Sequence, residues 1–192
     1  MAYTERKYYV PESKYSIKCP YTMEAKGITV HETDNNAPAI NEAKYMVSNN
    51  NKVSFHNVID DKEVIHCIPH NRSAWHAGDG GSGKGNRTTI SYEICYNMSS
   101  DLSKYNKAVE NAVKEIAKEL HKHGWGTDKV YQHNHWSGKN CPRNLRKGDN
   151  WKNFLNNIKK ELDKLDGKTT TTKPAPTGIK TVSYTVKVTA KD

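Results

Sequence analysis

Imidazole and thiolate side chains are the usual ligands of zinc, and three of them around an open fourth position make a site that does chemistry. This 192-residue chain carries nine histidines and four cysteines, and three of these stand in suggestive places. His31 sits near the end of the apolar run GITVHET (Gly27–Thr33), on the face opposite Ile28 and Val30. His133 ends the stretch KVYQH and opens the run HNHWSGKNCP. Cys141 follows eight residues later, just before Pro142, and Gly138 lets the loop turn so that the thiol can return beside the imidazole. Spacing alone does not choose between this reading and a blander one. A histidine at a strand end is commonly hydrogen-bonded in place, and an isolated cysteine is commonly a small buried hydrophobe.

A metal that activates water works with a proton acceptor beside it. Glu93 is the candidate, in TISYEICYN (Thr89–Asn97), where Thr89, Ser91, Glu93 and Cys95 share one face and Ile90, Tyr92, Ile94 and Tyr96 the other. Packing the apolar-rich face inward directs Glu93 at a cleft, where it can take a proton from water and hand it to a leaving amine. Alternation by itself fits an ordinary surface carboxylate equally well. The Gly-rich stretch GDGGSGKG (Gly78–Gly85) lacks a Gly-Lys-Ser/Thr ending and is expected to run into a strand rather than a helix. It therefore reads as a flexible groove edge and not as a phosphate-binding loop.

These residues need a frame. Strands are predicted at Gly27–Thr33, Ser54–Asp60, Glu63–Pro69, Thr89–Asn97 and Lys129–His133, with a hairpin through Asp60-Asp61-Lys62. A short helix fits Pro38–Ser48, with proline near its start. The clearest helix runs from about Asp101 to His123, where Leu102, Tyr105, Val109, Val113, Ile116 and Leu120 form one face and Gly124 provides the stop. Another spans Trp151–Leu165, with Asp149 or Asn150 as its N-cap. Interleaved strands and helices predict an α/β fold, and the hairpin predicts a mixed central sheet flanked by helices. The domain should end near Gly167, giving a unit over residues 1–167. KTTTTKPAPTG (168–178) has the composition of an extended linker, and 179–192 alternates like the first strand of an incomplete further module.

Five motifs, in order, resemble those of the type-2 N-acetylmuramoyl-L-alanine amidases, the phage-lysozyme and peptidoglycan-recognition-protein family. They are VHET around His31, SFHNVID around His56, AWHAGDG around His76, SYEICYN around Glu93 and HNHWSGKNCP from His133. The resemblance covers roughly Gly27 to Leu165 and is nearest to endolysin amidase domains from phages of Gram-positive bacteria. It implies a zinc (Zn2+) site made by His31, His133 and Cys141, with His133 rather than His135 as ligand. It implies Glu93 as the catalytic carboxylate and Lys139 as the cation near the reacting carbonyl. His76, His56, Trp75 and Trp136 become candidates for contact with substrate, His76 as a groove-lining or carbonyl-orienting residue and the tryptophans as platforms for sugar faces. The reaction implied is hydrolysis of the amide between N-acetylmuramic acid and L-alanine in bacterial peptidoglycan.

Composition narrows the alternatives. The net charge is +9 and the sequence pI about 9.3, which favours polyanionic partners, anionic wall polymers among them. Neither an RNP-type motif nor a zinc-finger spacing occurs, so nucleic acid is not expected as a partner. No apolar run is long enough to span a bilayer, and the polar first ten residues do not resemble a signal peptide. The expectation is an enzyme made in the host cytoplasm that reaches the wall through a holin-type membrane lesion. Two other readings compete: a non-catalytic peptidoglycan-binding module, and a cytoplasmic amidase that recycles muropeptides. Retention of Cys141 argues for catalysis, and the linker argues for an endolysin. Cys19, Cys67 and Cys95 show no CxxC pairing and read as buried filler.

Overall fold

The computed structural model describes residues 3–168. Six strands form one sheet: β1 (Thr4–Lys7), β2 (Gly27–Glu32), β3 (Asn57–Ile59), β4 (Glu63–His66), β5 (Thr89–Ile94) and β6 (Val130–Gln132). Their order is β1-β4-β3-β5-β2-β6. The β3–β4 pair is antiparallel and the other pairings are parallel, so the sheet is mixed as the hairpin predicts. The helices are α1 (Tyr15–Lys18), α2 (Ala39–Ser48), α3 (Lys84–Thr88), α4 (Ser103–His123), α5 (Asn134–Ser137) and α6 (Asn150–Leu165). The linker stretch beyond Lys168 and the strand-like 179–192 lie outside the described residues.

Alternation on the central strands decides what each face does. Ile28 and Val30 of β2, with Ile90, Tyr92 and Ile94 of β5, are fully buried. Each of the four aliphatic side chains among them stabilises the fold by roughly 1.5–3 kcal/mol. The α4 helix packs on β5, and α6 packs along α4. The opposite face carries His31 and Glu93, and Met46 of α2 shares a cleft with Glu93 there. The hairpin is held by Asp60. Its carboxylate accepts from the Lys62 and Glu63 amides at 2.8 and 2.9 Å and from the Ala39 amide at 2.9 Å, which ties the turn to the start of α2.

Several elements differ from the sequence expectation for local reasons. The strand expected from Ser54 begins only at Asn57, because the Ser54 amide donates to Trp75 and the His56 amide to the Ser91 hydroxyl. The α4 helix starts at Ser103, where the Asp101 carboxylate accepts the Ser103 amide at 2.9 Å. Gly124 ends it with φ 67°, the left-handed conformation that glycine adopts freely. A strand was expected directly after the Gly-rich loop, but the one-and-a-half-turn α3 intervenes. The Asp79 carboxylate accepts its Gly85 and Asn86 amides and so caps the short helix.

The face under α4 holds a polar cluster. Glu119 is nearly buried and accepts from His70 Nδ1 at 3.1 Å, His123 Nε2 at 2.9 Å and Lys122 Nζ at 3.3 Å. Burial pushes its carboxyl upward, but the hydrogen bond and charge of His70, then Lys122 and His123, outweigh this and hold it at about 2. A carboxylate depressed from 4.5 contributes its full stability above 4.5, and loses it as pH falls through the folded-state value. Stability should therefore fall between about pH 4.5 and 2. Glu119→Gln should be less stable at neutral pH with a flatter acid limb in urea unfolding at stepped pH. Parallel acid limbs for the two proteins would refute the assignment.

Candidate metal centre

In open α/β sheets, functional groups gather beyond the carboxyl ends of parallel strands. Here β5, β2 and β6 run side by side and parallel, and each delivers one group to that edge. His31 on β2 is in direct register with Glu93 on β5. His133 immediately follows β6, its amide donating to the Val30 carbonyl at 3.2 Å. From there α5 and Gly138, at φ 75°, return the chain so that the Asn134 amide meets the Cys141 carbonyl at 2.9 Å. The Glu32 amide points at Cys141 Sγ at 3.4 Å.

The structure thus brings together His31, His133 and Cys141. The two Nδ1 atoms are 2.9 Å apart, Sγ lies 4.0 Å from His31 Nδ1, and all three donor atoms fall within 4.8 Å of one another. All three side chains are buried. Burial, then the neighbouring His76 and His133, hold His31 well below the ordinary imidazole range. Burial and Lys139 hold His133 at about 4. Neutral imidazoles are the ligating form. Burial and the Glu93 charge push the Cys141 thiol up to about 12, so its thiolate needs a cation at hand. Two neutral imidazoles and one such thiol, converging at a buried point, are a donor set that fits a borderline divalent metal.

Glu93 stands at the lip of this cluster, with Oε1 3.9 Å from His31 Nδ1. Burial pushes its carboxyl up to about 8, with Lys139 pulling the other way. Both line a cleft of about 560 Å³ together with the three donors, His76 and Trp75. Trp75 is fixed by its indole N–H to the Ile17 carbonyl at 2.9 Å and presents part of its ring to the cleft.

Two residues expected at substrate are engaged elsewhere. His56 is fully buried; its Nδ1 accepts the Ser91 amide at 3.0 Å and its Nε2 donates to the Arg72 carbonyl at 2.8 Å, so the ring braces the sheet. Trp136 donates its indole N–H inward to Thr29 Oγ1 at 2.9 Å and packs beside Tyr131 and Gly85. His135 is exposed and packs against Tyr131, apart from the donor cluster.

Sequence reasoning passed over Glu32. Alternation turns it away from His31 and into the protein, where it is nearly buried. One carboxylate oxygen accepts from Tyr105 OH at 2.6 Å and the Leu145 amide at 3.1 Å; the other accepts from Asn97 Nδ2 at 3.0 Å and the Asn144 amide at 2.8 Å. Glu32 thereby staples the segment after Cys141 to the end of β2. An acidic residue beside a predicted ligand, on the apolar face of its strand, was the signal available.

The family model for N-acetylmuramoyl-L-alanine amidase matches residues 21–144, which include all three donors and Glu93. The chain belongs to the type-2 N-acetylmuramoyl-L-alanine amidase family. Among curated amidases, it is 44% identical over 190 residues to CwlA of Bacillus subtilis (strain 168), covering 99% of this chain and 70% of that protein. It is 45% identical over 163 residues to XlyB of the same organism, covering 85% of this chain and 51% of the relative. The chain therefore spans about half of XlyB. The solved structure of PlyL superposes with a TM-score of 0.78 at 46% identity, covering 84% of this chain and 99% of that one.

Removing the Glu32 carboxylate from the amidase should leave the part-buried Asn144 amide and the buried Leu145 amide without acceptors. Glu32→Ala is expected to destabilise the fold by on the order of 3 kcal/mol, and Glu32→Gln by less, since one acceptor oxygen remains. Urea unfolding measures both, and an unchanged midpoint for Glu32→Ala would show that the staple is dispensable.

Proposed function

We propose that this amidase is a zinc enzyme that hydrolyses the amide between N-acetylmuramic acid and L-alanine in bacterial peptidoglycan, in the manner of an endolysin. The observation that carries this reading is the placement of Glu93 within 3.9 Å of His31 Nδ1, at the open side of a buried His/His/Cys set. His31, His133 and Cys141 would hold the metal. Bound there, zinc supplies Lewis acidity and makes water a usable nucleophile near neutral pH.

The chain's own residues then have distinct tasks. Glu93, its carboxyl raised by burial to about 8, exchanges protons readily near neutrality. It takes the proton from the attacking water and delivers it to the amine of L-alanine as the C–N bond breaks. Lys139, exposed beside the cleft, offers an N–H donor to the oxygen that gains negative charge during attack. Trp75 supplies an apolar surface along the groove against which a sugar face can lie. The net charge of +9 favours approach to anionic wall polymers, and an endolysin would reach them through a lesion in the membrane. Among the described residues no helix is long and apolar enough to cross a membrane.

Purified cell walls incubated with the protein should yield new L-alanine amino termini by mass analysis, without new sugar reducing ends. A chelator should stop the reaction and added zinc restore it. Glu93→Gln should retain zinc while losing roughly 10²- to 10⁴-fold in rate, whereas Cys141→Ser should lose zinc and activity together. Products cut at another bond, or wild-type lysis by Cys141→Ser, would overturn the proposal.

A further inference from the structure

His76 lines the cleft beside the donor cluster, and its ring is engaged with a donor histidine. It is nearly buried, and its Nδ1 lies 3.0 Å from Nε2 of His31. The other nitrogen of His31, Nδ1, is the one that faces His133 and Cys141. An imidazole that gives its Nδ1 lone pair to a metal carries its proton on Nε2, and a buried N–H requires an acceptor. His76 Nδ1 is placed to be that acceptor; the proton of His76 then sits on its own Nε2, which is buried without a hydrogen-bond partner among the described residues.

The segment that carries this contact is itself clamped. Asn86 Oδ1 accepts the His76 and the Ala77 amides, each at 2.8 Å, and Asn86 Nδ2 donates to the Gly80 carbonyl at 3.0 Å. The Asp79 carboxylate in turn accepts the Gly85 and Asn86 amides. Gly85 packs so tightly that a Cβ there would meet the Ala77 methyl at 2.5 Å and the Trp136 ring at 2.7 Å. The Gly-rich stretch is thus a closed, hydrogen-bonded loop wrapped round the backbone of residues 76 and 77.

We propose that His76, held by Asn86, is the outer support of the metal centre and sets the tautomer and ring orientation of His31. His76 is on this account a positioning residue and does not touch substrate. The inference rests on the reading of His31, His133 and Cys141 as zinc ligands. It gives the Gly-rich loop a task that neither a phosphate cradle nor a mobile groove edge would require.

Zinc affinity of the full chain, measured by competition with a chromophoric chelator, tests the idea without recourse to activity. His76→Leu should bind zinc about 10- to 100-fold more weakly, because it fills the space without accepting a hydrogen bond. His76→Asn places an amide oxygen close to the position of Nδ1 and should recover most of that loss. Asn86→Ala, which touches neither histidine ligand, should also weaken zinc. Melting in excess chelator shows whether each apo-protein folds, and if His76→Leu fails there, His76→Asn and Asn86→Ala carry the comparison. Wild-type affinity in His76→Leu, or in Asn86→Ala should His76→Leu fail to fold, would overturn the proposal. So would a His76→Asn protein no better than His76→Leu, as a purely space-filling His76 predicts. A wild-type chain that retains no zinc would instead sink the ligand reading on which it rests.

Discussion

Burying two imidazoles and a thiol at one point is the constraint from which most of this structure follows. Each ring has two nitrogens, and inside the protein both must be accounted for. The pair of Nδ1 atoms 2.9 Å apart therefore demands a backbone that fixes both rings. Parallel strands supply that rigidity. Adjacent strands hydrogen-bonded in register end at the same edge, so His31 and Glu93 are positioned by the ladder, and His133 is tied to it through the Val30 carbonyl. Cys141, in a loop, has no ladder to hold it and is fixed by other means.

Those means come from the same strand end. Consecutive residues of β2 point to opposite faces, so His31 enters the cleft while Glu32 enters the interior. There Glu32 accepts four hydrogen bonds, two from backbone amides of the segment just after Cys141. A buried carboxylate is costly unless its oxygens are well satisfied, and here each receives two donors. The arrangement converts a two-residue stretch of strand into both a donor and an anchor. It also explains why the loop can present a thiol beside His31 although no regular element holds it.

The fold was largely legible because the central strands and long helices bury continuous apolar faces. Where burial is one-sided or absent, pattern fails: β1 (TERK) is exposed along its length and has no apolar alternation, yet it pairs with β4 at the sheet edge. The site was legible less directly. Histidines are poor markers in this chain, since His56, His66, His70 and His123 are all engaged in hydrogen bonds that brace the sheet and α4. Motif order separated His31 and His133 from these, which residue type could not. His56 and His76 sit in motifs of similar appearance, and only coordinates distinguish a ring that braces Ser91 from one that faces a donor histidine. Glu32 escaped because an acidic residue on a buried face reads as an exception to the pattern, not as its fastening.

The eight-residue spacing from His133 to Cys141 has a physical meaning that counting does not convey. It holds one turn of helix, a left-handed glycine and a return. Asn134 closes it by donating from its side chain to the Gly138 and Lys139 carbonyls at 2.8 and 3.0 Å and from its amide to Cys141. The Cys141 amide also donates back to Lys139 at 2.7 Å. The loop between the two donors is therefore bonded to itself, with Lys139 exposed on its outer rim. A cation carried on such a loop keeps a fixed relation to the donors at both ends, whereas a lysine on a free loop would sample many positions. Preorganisation of this kind avoids reordering charge when the reaction begins. It brings Lys139 to the cleft that Glu93 also lines, so a cation and a carboxylate are presented to the same space.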